Sequence, residues 1–107
     1  MSTNVRVTEG SGAVAPTLTF TENFNAALTA SYQKVVTTTS GTRALRMFSQ
    51  VGAGAYDIEF QVVAAGAAAP TTSGMALMGG EDFAAGIPIG DIYARSASLQ
   101  KLIVWSA

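Results

Sequence analysis

Tyr56-Asp57-Ile58-Glu59-Phe60-Gln61-Val62-Val63 decides the fold class. Tyr56, Ile58, Phe60 and Val62 alternate with Asp57, Glu59 and Gln61, and in an extended chain successive side chains point to opposite faces. The pattern predicts a β-strand with one buried row and one wet row. A helix would scatter the same apolar residues around its circumference, and β-branched and aromatic side chains suit a pleated surface. One such strand needs partners along its edges and an opposing layer over its apolar face.

Upstream, Gly52-Ala53-Gly54 breaks the chain, and a break this short favours an antiparallel neighbour over a helical crossover. Before it, Leu45 and Met47 alternate with Arg46 and Phe48, and residues 32–39 are rich in β-branched side chains. Ser40-Gly41 between these two runs predicts a hairpin. Residues 1–30 read as an extended arm with short strand segments, in which Leu18 and Phe20 alternate with threonines after Pro16. Asn23 is placed to cap a helical turn with Phe24, Ala27 and Leu28 on one side.

Downstream, the Ala-, Gly- and Thr-rich residues 64–74 read as a surface connection. A short apolar run at residues 75–78 follows, then Gly79-Gly80-Glu81-Asp82 and a corner at Ile87-Pro88-Ile89-Gly90. Pro88 has no N–H for a ladder and belongs at an edge or a strand start. Ile92 and Ala94 then alternate with Tyr93 and Arg95, and the nearly apolar residues 99–105 supply the other half of a closing strand pair. Short strands, frequent turn signals and no long amphipathic helix predict an all-β fold, an antiparallel β-sandwich or jelly-roll-like variant over residues 31–107 preceded by the arm.

Composition narrows the function. The chain has 107 residues, 12% of them charged and 49% hydrophobic, against about 25% charged in ordinary soluble domains. With so few charges to cover its outside, it is expected to bury part of its surface against copies of itself or another protein. A net charge of −1, with six scattered Lys and Arg, provides no field for nucleic acid. The sequence has no cysteine and no histidine, which removes disulfides, thiolate metal sites and the commonest general base. Met1-Ser2-Thr3-Asn4 lacks the start of a secretory signal, and the longest apolar run is too short to span a bilayer. A soluble product made in the cytoplasm is expected.

Several segments together resemble small virion proteins of tailed bacteriophages. They are Gly41-Thr-Arg-Ala-Leu-Arg-Met-Phe-Ser-Gln-Val-Gly52, Tyr56-Asp-Ile-Glu-Phe60, Ala67-Ala-Ala-Pro-Thr-Thr-Ser-Gly-Met-Ala-Leu77 and Ile87-Pro-Ile-Gly90, followed by the strands around Tyr93 and Leu99. The likeness covers residues 31–107 and omits the arm. Where that group has Leu-Pro-Ala-Gly-Glu, this chain has Leu77-Met-Gly-Gly-Glu81, keeping the turn residues without the proline. The resemblance implies a structural protein of the virion, a head decoration or cement protein, or else a neck, tail or fibre element. It brings no catalytic signature. Its partners would be the major capsid protein or other virion proteins.

No residue set argues for chemistry. Glu81, Asp82 and Asp91 could offer oxygens to Ca²⁺, but they lack the Asp-x-Asp-x-Asp-Gly spacing and read as exposed turn carboxylates. Asp57 and Glu59 share a strand face, as a wet face requires and without the signs of a glycosidase pair. The serines have no histidine base, neither Lys34 nor Lys101 is placed as a Ser-Lys partner, and Gly52-Ala53-Gly54 is not a phosphate-binding loop. No enzyme activity, cofactor or metal is expected. Arg43, Arg46 and Arg95 suit planar carboxylates across a subunit boundary. With Leu18, Phe20, Phe24, Tyr93 and Trp105 they form the expected interface set, although the aromatics are equally suited to a core. Tyr32, Tyr56, Tyr93 and Trp105 could instead line a sugar-binding face, which makes a carbohydrate-binding host-attachment module the alternative from another class. The expected assembly is a closed homo-oligomer, a trimer in preference to a dimer.

Overall fold

The computed structural model describes residues 2–8, 14–49, 57–77, 80–83 and 86–107, and for residues 2–8, 14–17, 80 and 81 it describes backbone pairing alone. Tyr56 and Gly52-Ala53-Gly54 lie outside the described residues. The strands are β1 (Ser2–Thr8), β2 (Val14–Ala27), β3 (Gln33–Thr38), β4 (Leu45–Ser49), β5 (Ile58–Val63), β6 (Met75–Ala76), β7 (Gly80–Phe83), β8 (Gly90–Ser96) and β9 (Lys101–Ser106). No helix occurs among the described residues.

From β2 onward the chain behaves as one long hairpin doubled back at the connection between β5 and β6. β2 pairs with β9, β3 with β8, β4 with β7 and β5 with β6, all antiparallel. The doubled chain is rolled so that successive pairs fall in opposite layers, and β4–β9 and β5–β8 pairing completes each sheet. The result is a five-stranded sheet, β1-β2-β9-β4-β7, facing a four-stranded sheet, β3-β8-β5-β6. The protein is therefore an antiparallel β-sandwich with the strand order of a jelly roll.

This order corrects three local expectations. β3 and β4 do not form a hairpin, β8 and β9 do not pair, and β4 is not the neighbour of β5; each pair is split between the two sheets. The cause is that every one of these strands has an apolar row to bury. Sheets stacked about 10 Å apart can be joined by a short arch, and an arch lets both rows face inward. The turn at Ser40-Gly41 is such an arch, closed by the Thr42 N–H donating to the Thr39 carbonyl at 3.0 Å.

Between the layers, Val35, Val36, Ile58, Phe60, Leu77, Ile92 and Ala94 of the four-stranded half meet Leu45, Met47, Leu102 and Val104 of the five-stranded half, with Leu28 at one side. Ile58 and Phe60 are buried as their alternation predicts. Gly90 opens β8 where Pro88 ends the corner; it has φ +140°, and any Cβ there would run into the Val63 carbonyl, so only glycine fits.

The arm has a definite shape. β1 pairs with β2 from Thr21 back to Val14, whereas β9 covers β2 from Thr21 to Ala27. The first half of β2 and β1 thus make a two-stranded ribbon running past the end of β9, about 20 Å long at ~3.3 Å per residue. The second half of β2 belongs to the sandwich. The helical turn expected from Asn23 does not form: β2 continues to Ala27, and a register shift between Glu22 and Phe24 takes up the extra residue. The spacing of Phe24 and Leu28 imitates a helix face, but Phe24 pairs with Val104 and packs against the core.

Candidate docking face

The outer surfaces of the two sheets differ. On the four-stranded sheet, Asp91, Tyr93 and Arg95 of β8 and Glu59, Gln61 and Val63 of β5 alternate with the buried row, and they stand opposite one another in register. Residues 64–74 and Tyr32 fold over this face. Gly66 donates its N–H to Asp91 Oδ2 at 2.9 Å. At the other end the Thr72 carbonyl accepts from the Tyr32 hydroxyl at 2.8 Å and from Gln61 Nε2 at 2.7 Å. The Arg95 guanidinium lies 4.3 Å from the Tyr32 ring centre, and its Nε donates to Glu59 Oε2 at 2.6 Å. The connection expected at residues 64–74 is thus a strap pinned at both ends, which closes this surface.

Asp91, expected as an exposed turn carboxylate, is a strand residue with 2% exposure. The Thr37 hydroxyl bond at 2.6 Å, followed by the Gly66 N–H and the Lys34 charge, holds its carboxyl below the ordinary value. Asp57 is lowered in the same way, first by the Ser96 hydroxyl at 2.5 Å and then by Ser98, against the opposing effect of burial. Both carboxylates, and Glu59 with them, are committed to structural partners. Asp82 and Asp91 lie on different sheets, so they do not converge on a cation, and no group of three metal-ligating side chains occurs among the described residues.

The five-stranded sheet presents a different outer surface. Register places Glu22, Trp105, Arg46 and Asp82 in one row across β2, β9, β4 and β7, and Asn25, Ile103, Phe48 and Gly80 in the next. Trp105 meets Phe48 edge to face, with ring centres 5.9 Å apart at 87°, and its Nε1–H points to Glu22 Oε1 at 3.4 Å. Arg46 donates from Nε to Asp82 at 2.7 Å and lies 5.8 Å from the Phe48 ring centre. Ile103 and Phe20 are 6% and 5% exposed, yet neither belongs to the inner cluster. Alternation along β2 puts Leu18 and Phe20 on the same side as Glu22. A second apolar layer therefore lies outside the sandwich, framed by two acidic residues and an arginine.

The expected interface set separates accordingly. Leu18, Phe20, Arg46 and Trp105 share the outer face of the five-stranded sheet, while Phe24 points into the core. Tyr93 and Arg95 lie on the opposite, strapped face, so Tyr93 and Trp105 cannot line one sugar platform. Arg43 sits in the arch between β3 and β4. Sequence reading missed Phe48 and Ile103. Alternation in β4 puts Phe48 on the Arg46 side, but only the pairing of β4 with β9 brings it to Trp105.

The architecture and its outer layer define a jelly-roll β-sandwich with half-buried aromatic side chains on the outer face of one sheet. No family model matches this chain, and neither a curated protein nor a solved structure matches it.

Proposed function

We propose that this chain is a non-enzymatic structural protein of a tailed-bacteriophage virion, one that decorates or cements the capsid shell by binding across subunit boundaries. The observation that carries the reading is the difference between the two faces: one sheet is crossed by its own strap, while the other presents half-buried Phe48 and Trp105 beside exposed Arg46, over buried Phe20 and Ile103. Trp and Arg are the residues most enriched at the energetic centres of interfaces. The jelly-roll order is one that viral shell proteins use repeatedly, and the segments from Gly41 to Gly90 carry the resemblance to phage virion proteins. In this role the face docks on the shell, the ribbon of β1 and β2 adds contacts, and several copies in a closed oligomer, a trimer in preference to a dimer, sum modest interfaces into firm retention.

Imaging of intact virions tests this directly, since a shell location with many copies supports it and a neck, tail or fibre location replaces it with the other assembly role. A binding assay on purified shells adds residue resolution. Trp105→Ala and Arg46→Glu should weaken retention at least tenfold while the thermal transition persists, and full retention by both variants overturns the proposed face. A sugar-binding reading rests on Trp105 alone, a half-buried aromatic flanked in register by Glu22 and Arg46. Glycan-array binding lost in Trp105→Ala but kept in Tyr93→Ala would favour it.

A further inference from the structure

One end of the sandwich holds a groove of about 450 Å³ between the β3–β4 arch, with Thr39, Ser40, Thr42 and Arg43, and the segment before β8, with Gly86, Ile87 and Ile89. Both walls are fixed. The Arg43 and Ala44 N–H groups donate to the Ala107 oxygen at 2.6 and 3.1 Å, and Ala107 returns a bond to the Ala44 carbonyl at 3.0 Å. Opposite, the Thr38 hydroxyl donates to the Pro88 carbonyl and accepts the Gly90 N–H at 3.1 Å.

Arg43 supplies the charge of the groove. Arg46 and Arg95 are each paired with a carboxylate, but Arg43 has no ion pair among the described residues, and no acid lines the groove. Thr39 Oγ1 accepts from the Gly41 N–H at 3.1 Å and Thr42 Oγ1 from the Thr39 N–H at 3.0 Å; each acts as acceptor there, so its own proton stays available to donate. Ile89, 62% exposed, and Ile87 form the apolar side. An unpaired guanidinium on a backbone held in place, beside hydroxyl donors, suits a carboxylate, and the isoleucines suit an aliphatic neighbour.

We infer that this groove receives an acidic side chain from an extended segment of a partner protein, with the carboxylate on Arg43 and the flanking apolar side chain on Ile87 and Ile89. A partner segment fits better than a free small acid because sites for small ligands enclose most of their ligand, whereas Ile89 leaves this groove open on one side. The assignment does not depend on a shell role and concerns a different part of the molecule from the Trp105 face.

The test is NMR titration of the full chain with three probes: acetyl-Leu-Glu-Leu-amide, its Gln counterpart, and hexanoate. The Glu peptide should shift the amides of Thr39, Gly41, Arg43 and Ile89 and bind about tenfold tighter than the Gln peptide, the scale of one charge-assisted hydrogen bond. Arg43→Gln, at an exposed position, should remove that preference without moving the thermal midpoint, and Ile89→Ser should weaken both peptides. Equal binding of the Glu and Gln peptides, or an undiminished preference in Arg43→Gln, overturns the proposal. Hexanoate binding as tightly as the Glu peptide overturns the partner segment as occupant.

Discussion

At the scale of single residues, the alternation in β5 makes two neighbours unequal. Phe60→Ala should cost about 3–5 kcal/mol, because its ring is 5% exposed among the inner cluster. Glu59→Ala removes a partly exposed pair with Arg95 and should cost about 1 kcal/mol or less. Denaturant titration of the two variants measures the gap, and equal losses would contradict the assigned faces. Leu99 carries a different signal. It is 58% exposed and has φ 60°, a left-handed conformation that costs a branched side chain roughly 1–2 kcal/mol. Leu99→Asn should therefore raise stability by up to about 1 kcal/mol, read as a higher thermal midpoint; a loss would mean that the leucine makes a contact worth more than its strain. The alternation at β5 was legible because burial follows period two. The strain at Leu99 was not, since a tight arch between sheets forces it only after β8 and β9 have been placed in different layers.

At the scale of elements, the two ends of the chain should respond differently to truncation. Deleting residues 1–17 removes β1 and much of the ribbon but leaves Thr21 to Ala27 on β9, so a cooperative transition should remain. Deleting residues 101–107 removes β9, the strand between β2 and β4, and should abolish that transition. Circular dichroism melts of the two shortened chains decide the point. The four-stranded sheet should be sensitive to acid at two points, the strap anchor Asp91 and Asp57, which holds the turn at Ser96 and Ser98. Asp91 and Asp57 have lowered pKa values in the folded protein, so they contribute stability that is complete above the unfolded carboxyl value near 4. That contribution is lost as pH falls through their folded values. The thermal midpoint should drop below about pH 4, and Asp91→Asn should flatten the drop. The loop at residues 64–74 was evident from its composition, but its anchorage on Asp91 and Gln61 was not, because nothing local specifies which strand lies beneath a loop.

At the scale of the whole molecule, low charge and an outer aromatic layer point the same way. With 12% charged residues and an outer layer built on Trp105 and Phe48, the proposed closed association should appear by light scattering at micromolar concentration, alone or on capsids. A monomer under both conditions, with no retention on particles, would count against the shell role. The jelly-roll order also joins Glu22 to Trp105, nearly the full length of the body, and long closures of this kind make folding slow. The sequence by itself determined the all-β class, the inward rows of β4, β5 and β8, and the corner at Pro88 and Gly90, because side-chain alternation and backbone restriction are properties of adjacent residues; it did not show that Asn23 and the pair Glu81-Asp82 lie in strands. Only the tertiary structure decided that neighbouring strands arch between layers and pair with distant ones, that Phe24 packs inward while Phe20 lies outside the inner cluster, and that Trp105 and Tyr93 occupy opposite faces. Strand pairing is set by which arrangement buries every apolar row at once, and that condition belongs to the whole chain.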